Sequence, residues 1–200
     1  MNGMKSVCVY CGSATGHDPR FAAAADELGT ALARASITLV YGGGSLGLMG
    51  RIAHKVLQEG GHVVGIIPRF LHDREVMLTE VSELIITEDM HERKRLMFER
   101  ADGFVALPGG IGTLEEVVEM MTWSQLGRHE KPIVLANVAD FWAPLNALIT
   151  HMLDAGFIRP GWDVSYDVAD EIADVVPILI ERQRALAAER TPQEAMLRRL

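Results

Sequence analysis

Only two cysteines occur in 200 residues, too few for a disulfide framework, and they stand three apart as Cys8 and Cys11. Within and at the end of one predicted strand, residues three apart face opposite sides, so this lone Cys-x-x-Cys reads as two ordinary thiols. Aromatic residues make up 6% of the chain against 48% hydrophobic residues in all. Such a core is aliphatic and suits an α/β protein, and the length suffices for one domain. Positive charge is also in deficit. The net charge is -8 and the isoelectric point near 5.3, whereas a nucleic-acid surface needs the opposite field. No apolar run approaches the roughly 18 residues of a membrane span, and residues 1–5 lead into a predicted strand without a signal-peptide core. A cytoplasmic protein is expected. His17, His54, His62, His72, His91, His129 and His151 show no ligand spacing, so no metal site is expected. Repeats, linkers and low-complexity segments are lacking too.

What the chain does have is glycine at strand ends. Pro108-Gly109-Gly110-Ile111-Gly112-Thr113-Leu114-Glu115-Glu116 joins the apolar run 104–107 to an amphipathic helix expected over about 113–127. Three glycines in four positions let the backbone turn sharply and approach a ligand, and the helix aims unpaired N–H groups and a partial positive charge into the turn. Such a turn is a phosphate seat. Thr113 adds a hydroxyl, and Glu116, three residues further on, stands about 4.5 Å along the axis at about 1.5 Å per residue. That is about the span from the 5'-phosphate of a nucleotide to its sugar, which points to chemistry on a phosphorylated sugar. The bland alternative is a plain strand-to-helix turn, with an acid such as Glu115 favoured by about 0.3–1 kcal/mol through the helix dipole alone. Spacing by itself names no substrate.

Two more glycine-bearing turns follow strands. A strand over 6–10 ends in Cys11-Gly12-Ser13-Ala14-Thr15-Gly16, after which Asp18 and Pro19 start a helix running to about 35. A strand over 37–41 leads into the turn 42–50, which formally satisfies G-x-G-x-x-G, and a helix ending near 60. A dinucleotide site of that kind wants an acid at the end of the next strand, but the strand 62–67 ends in Pro68-Arg69. The turn then reads as a wall of a nucleotide pocket or as close packing of helix on strand. A loop over 69–79 precedes a strand over 81–86, and Asp89 with Glu92 is expected to cap a helix over 90–101. Its first turns carry Arg93, Lys94 and Arg95. Cations there oppose the helix dipole at about 0.3–1 kcal/mol each, so a bound anion is expected at Arg93, with Arg95 left to solvent, Glu92 or Glu99.

A strand over 132–138, a helix over 141–155, a short strand at 163–166 and a helix over 168–189 complete the pattern, with 191–200 expected as a mobile tail. In the helix 113–127, Leu114, Val117, Val118 and Met121 form one apolar stripe that Met120 and Trp123 extend. A second subunit against that extra surface is expected, the alternative being a Met-rich core. Alternating strands and helices imply a single-domain, Rossmann-like three-layer α/β fold over 1–190, with a mainly parallel sheet flanked by helices. The three glycine turns should meet in one cleft beyond the carboxyl ends of the strands.

Met90-His91-Glu92-Arg93-Lys94 followed by Pro-Gly-Gly-x-Gly-Thr-x-x-Glu resembles the Lonely Guy (LOG) family of cytokinin-activating phosphoribohydrolases. The likeness covers almost the whole chain, with Cys11-Gly12-Ser13, the 42–50 turn, Arg74-Glu75 and Thr122-Trp123-Ser124-Gln125-Leu126-Gly127 matching successive blocks. It implies hydrolysis of the N-glycosidic bond of an N6-substituted adenosine 5'-monophosphate, with AMP as a further candidate, giving free base and ribose 5-phosphate without a cofactor. By position Arg93 and Glu116 match the family's catalytic pair, while Glu75, Lys94, the Gly110 to Glu116 loop and Thr122 match its substrate contacts. Candidate binding residues are thus Ser13, Gly43, Glu75, Lys94, Gly109, Gly110, Ile111, Gly112, Thr113, Glu115 and Thr122. The resemblance also implies a homodimer or a dimer-based assembly with the pocket near the interface. Ile111 stands where plant members commonly carry Tyr. Family members are often labelled lysine decarboxylases, but Lys5, Lys55, Lys94 and Lys131 mark no evident pyridoxal phosphate pocket. The rival reading is a non-catalytic carrier of a nucleotide or of the molybdenum cofactor, which needs the anion seat but not a carboxylate beside it.

Overall fold

The computed structural model describes residues 3–72, 80–159 and 161–197. The chain runs β1 (Ser6–Tyr10), α1 (Pro19–Arg34), β2 (Thr38–Tyr41), α2 (Gly47–Gln58), β3 (Val63–Pro68) and the short α3 (Arg69–His72). It continues through β4 (Glu83–Thr87), α4 (Met90–Arg100), β5 (Gly103–Ala106), α5 (Ile111–Gln125), β6 (Ile133–Ala136), α6 (Ala143–Asp154), β7 (Asp167–Ala169) and α7 (Ile172–Leu197). The seven strands among the described residues all pair in parallel, in the order β4-β3-β2-β1-β5-β6-β7. This is the Rossmann-like three-layer arrangement that the alternating pattern implies. The central strands read as unbroken apolar runs because both faces of a parallel sheet are covered.

Alternation along each strand divides the core in two. Val7, Val9, Leu39 and Val105 pack with Leu28, Ile52 and Val175 on one face, while Cys8, Tyr10, Val40 and Phe104 pack with Met97, Val117 and Met121 on the other. Burying each such side chain stabilises the fold by about 1.5–3 kcal/mol. Cys8 and Cys11 fall in opposite halves of this core, as their spacing requires.

The sheet grows from β1 towards β4 on one side, and α4 then carries the chain back to place β5 on the other side of β1. That reversal is the topological switch point, where such sheets bind ligands. The loops after β1 and β5 consequently lie against each other: Leu107 N–H donates to Tyr10 O at 3.0 Å, and Gly12 N–H to Pro108 O at 3.0 Å.

Three expectations change. The last strand is Asp167–Ala169 rather than 163–166, because pairing with β6 selects Asp167 opposite Val134 and Ala169 opposite Ala136; Val164 and Tyr166 pack on the core from outside the sheet instead. The last helix begins at Ile172, and its backbone stays helical to Leu197, past the end expected near 189. Met120 is core, not outer surface. Among the described residues no helix is long and apolar enough to cross a membrane.

Both thiols are buried, and burial pushes each far above its ordinary value of 9.0, so neither forms a thiolate at neutral pH. A thiol-specific chromogenic reagent should label neither cysteine in the folded protein and both in guanidinium. Native labelling at the rate of a free thiol would contradict this packing.

Candidate active site

Among the described residues, α1, α2, α4 and α5 all begin at the carboxyl-end side of the parallel sheet, and their first turns are treated differently. Asp18 caps α1 by accepting from Arg20 N at 2.9 Å, and Asp89 caps α4 by accepting from Glu92 N at 2.8 Å. Glu92 reaches back to accept from Glu88 N at 2.8 Å, one residue before the Asp89 N–H that a full capping box would use. No side chain caps α2, but Gly12 O accepts from Leu48 N at 3.0 Å and Met49 N at 3.3 Å. The positive end of α2 is thus occupied by a backbone carbonyl, which explains why its G-x-G-x-x-G is no pyrophosphate seat. Its glycines serve packing: a Cβ on Gly47 would collide with Ser13, and one on Gly50 with Ser45.

The start of α5 is the exception. Its N-cap, Gly110, has no side chain to offer, and Cβ atoms built on Gly110 or Gly112 would meet nothing within 4 Å. Gly109 differs, since its Cβ would run into Thr113 Oγ1 and sit 2.8 Å from Gly12 N. One glycine therefore closes the two loops together, while the others leave an open approach to the first-turn amides, a geometry suited to an anion. A cavity of about 230 Å³ adjoins this approach, lined by Ser13, Thr15, Gly109, Gly110, Phe21 and Phe141. Ser13 is thereby brought beside the loop, Thr113 is buried beneath Gly109, and Ile111, 82% exposed, stands at the mouth.

One turn into α5, Glu116 Oε1 accepts from Arg93 Nη1 at 2.8 Å, and Arg93 Nε donates to Ile66 O at 3.2 Å. Arg93 is only 8% exposed although it sits near a helix N-terminus that disfavours cations. Its compensating anion in the protein is Glu116. Lys94 donates to Glu115 Oε1 at 2.6 Å and Glu119 Oε1 at 3.0 Å, clamping α4 to α5, while Arg95 pairs on the surface with Glu99 at 3.4 Å. Burial pushes the Glu116 carboxyl above its ordinary value of 4.5, an effect that the charge and hydrogen bond of Arg93 partly offset. Burial is the main cause that raises Cys8 and Tyr10, the β1 side chains on this side of the sheet, and the charge of Glu116 adds to it.

Other candidates are placed less directly. Gly43 has φ +81°, and its Cβ would lie 2.9 Å from Ile67 Cβ, so its glycine is required by the turn itself. Thr122 donates to Val118 O at 2.7 Å on an exposed face, about 9 Å along α5 from Glu116 at about 1.5 Å per residue. A single chain does not bring it to the Arg93–Glu116 pair. Glu75 lies outside the described residues. The Ile66 carbonyl escaped the sequence reading because a carbonyl carries no residue-type signal, and Gly42 was read only as part of the 42–50 turn, not as a neighbour of Arg93.

A family model described as "Possible lysine decarboxylase" matches residues 49–179. The cytokinin riboside 5'-monophosphate phosphoribohydrolase LOG1 of Arabidopsis thaliana is 48% identical over 156 residues, 78% of this chain and 73% of that protein. The corresponding LOG of Oryza sativa subsp. japonica is 50% identical over 154 residues, covering 77% and 64% respectively. The molybdenum cofactor carrier protein MCP of Chlamydomonas reinhardtii matches with a TM-score of 0.67 over 91% of this chain and 99% of its own. At 22% identity that likeness shows the fold alone.

The Glu116 shift has a definite sign. In the unfolded chain the carboxyl ionises near 4.5, and in the folded chain above it, so stability contributed by Glu116 falls as pH rises through that window. Carboxyl-carbon NMR should place the Glu116 midpoint above 4.5 in the wild type and higher still in Arg93→Ala. A midpoint at or below the ordinary value would contradict the buried geometry.

Proposed function

The chain belongs to the Lonely Guy family of cytokinin riboside 5'-monophosphate phosphoribohydrolases, and from that membership we propose that it hydrolyses the N-glycosidic bond of N6-substituted adenosine 5'-monophosphates. AMP is a further candidate substrate, and the products are the free base and ribose 5-phosphate. One observation carries the reading: a carboxylate bonded to a guanidinium stands one helical turn beyond an anion seat with no side-chain cap.

The phosphate binds the amides at 111–113 with Ser13 and Thr113 beside it, which holds the ribose over Glu116. As the C1'–N9 bond breaks, its electron pair leaves with the base, which takes up a proton, and C1' and the ring oxygen gain positive charge. The Glu116 carboxylate stabilises that charge, and the oxygen of a water molecule ends on C1' after releasing a proton. Direct attack by water and a transient ester to Glu116 share this geometry. Arg93 favours the ionised carboxylate against the effect of burial. A carrier has no use for such a carboxylate, which repels the bound phosphate. Nor do the lysines fit a decarboxylase, since Lys94, at the cleft, is neutralised by two carboxylates and Lys131 lies over the Phe98 ring.

The working unit in this reading is a homodimer in the cytoplasm. Helix α6 buries none of its residues despite its apolar character, and Val118, Leu126, Leu148, Met152 and Phe157 are all exposed around it. Thr122 shares the exposed face of α5 with Val118, so its contact with nucleotide comes from the neighbouring copy.

Incubation with isopentenyladenosine monophosphate, its riboside and AMP, followed by chromatography, tests the reaction. Free base should appear from the monophosphates and not from the riboside, and Glu116→Gln or Arg93→Ala should lower kcat about 10²–10³-fold without loss of folded structure. Tight binding with the nucleotide left intact would overturn the proposal. Light scattering at micromolar concentration should give at least twice the chain mass of 21.9 kDa; a monomer would contradict the dimer.

A further inference from the structure

The Arg93 guanidinium is fixed by hydrogen bonds at two of its nitrogens, Nε to Ile66 O and Nη1 to Glu116 Oε1. The third, Nη2, faces Gly42. A Cβ built on Gly42 would overlap Arg93 Nη2 and come within 3.2 Å of Met49 Sδ and 3.5 Å of Arg93 Cζ. Gly42 and Gly43 look alike in sequence but differ in cause. Gly43 has a left-handed backbone at φ +81°, whereas Gly42 is not among the positive-φ residues. An alanine at 42 therefore meets no backbone penalty of the kind expected at 43. What it meets is the ends of two side chains, overlapping Arg93 Nη2 and pressing more lightly on Met49 Sδ at 3.2 Å.

We infer that Gly42 is a positioning residue for the reacting pair: its bare Cα leaves the slot that seats the Arg93 guanidinium against Glu116. The guanidinium is planar and rigid, so displacing Nη2 also moves Nη1 and Nε off their acceptors. A methyl group at 42 thus disconnects Arg93 from Glu116 by pressing on the guanidinium, with both residues kept in the sequence. The phosphate seat on α5 is a separate element and keeps its shape. This rests on the reading of Arg93 and Glu116 as the reacting pair.

The test is a double-mutant cycle of Gly42→Ala with Arg93→Lys and with Arg93→Ala, read by kinetics on isopentenyladenosine monophosphate and by melting temperature. Gly42→Ala should keep its circular dichroism, lose about tenfold or more in kcat and hold KM within about threefold. In the Arg93→Lys background, where Nη2 is gone, the same change should cost less than about twofold in kcat. It should lower the melting temperature of the wild type clearly more than that of Arg93→Ala, where only the Met49 contact remains. A rise in KM at constant kcat would make Gly42 a wall of the nucleotide pocket and overturn the inference, as would equal losses in all backgrounds. If the wild type releases no base, the reaction reading fails by itself. The melting temperatures then still decide the slot, an equal drop in both backgrounds being the result that sinks it.

Discussion

A guanidinium and a carboxylate bonded 2.8 Å apart beneath the surface are the contact on which the remaining structure depends. Each charge would be costly to bury alone, and each makes the other tolerable. Arg93 comes from α4 and Glu116 from α5, the two helices that flank β5 in the chain, so the ion pair also fixes how they sit on the sheet. Lys94, between Glu115 and Glu119, repeats the clamp on the outer side. Helix α4 tolerates a cation in its opening turns because the neighbouring helix supplies the anion.

The glycines around this pair divide their work by physical cause. Gly43 supplies a left-handed backbone, Gly109 lets two loops touch, Gly110 and Gly112 leave open space, and Gly42 makes room for a side chain. Helix starts are divided in the same way. Those of α1, α2 and α4 are satisfied within the protein, and α5 presents a first turn that no side chain caps, at the point where strand order reverses. In the proposed reading, an acid one turn from a phosphate seat is unfavourable in a resting binder. It becomes useful when positive charge develops on the sugar between them.

Much of this was legible because its causes are local. Asp18 before Pro19 and Asp89 before Glu92 show themselves within four residues as caps. The strand-turn-helix alternation gives the parallel sheet, and the poor fit of a cation to the start of α4 singles out Arg93. What stayed hidden depends on contacts between distant segments. The resemblance names Arg93 and Glu116 together, but that they bond directly across 23 residues depends on the packing of α4 beside α5. The last strand was misplaced because β6 selects its partner, which local propensity does not reveal. Met120 was assigned outward because a helical wheel does not say how much of a helix its neighbours cover. The formal dinucleotide motif failed on the missing acid, and the structure adds the carbonyl of Gly12 on the α2 amides as a second reason.

A crystal structure with AMP bound to the Glu116→Gln protein would show where the phosphate and the sugar lie on α5. The phosphoryl oxygens should accept from the amides at 111–113, with C1' about 3–3.5 Å from the side chain at 116. A phosphoryl group seated elsewhere, or an anomeric carbon beyond reach of that side chain, would contradict the account.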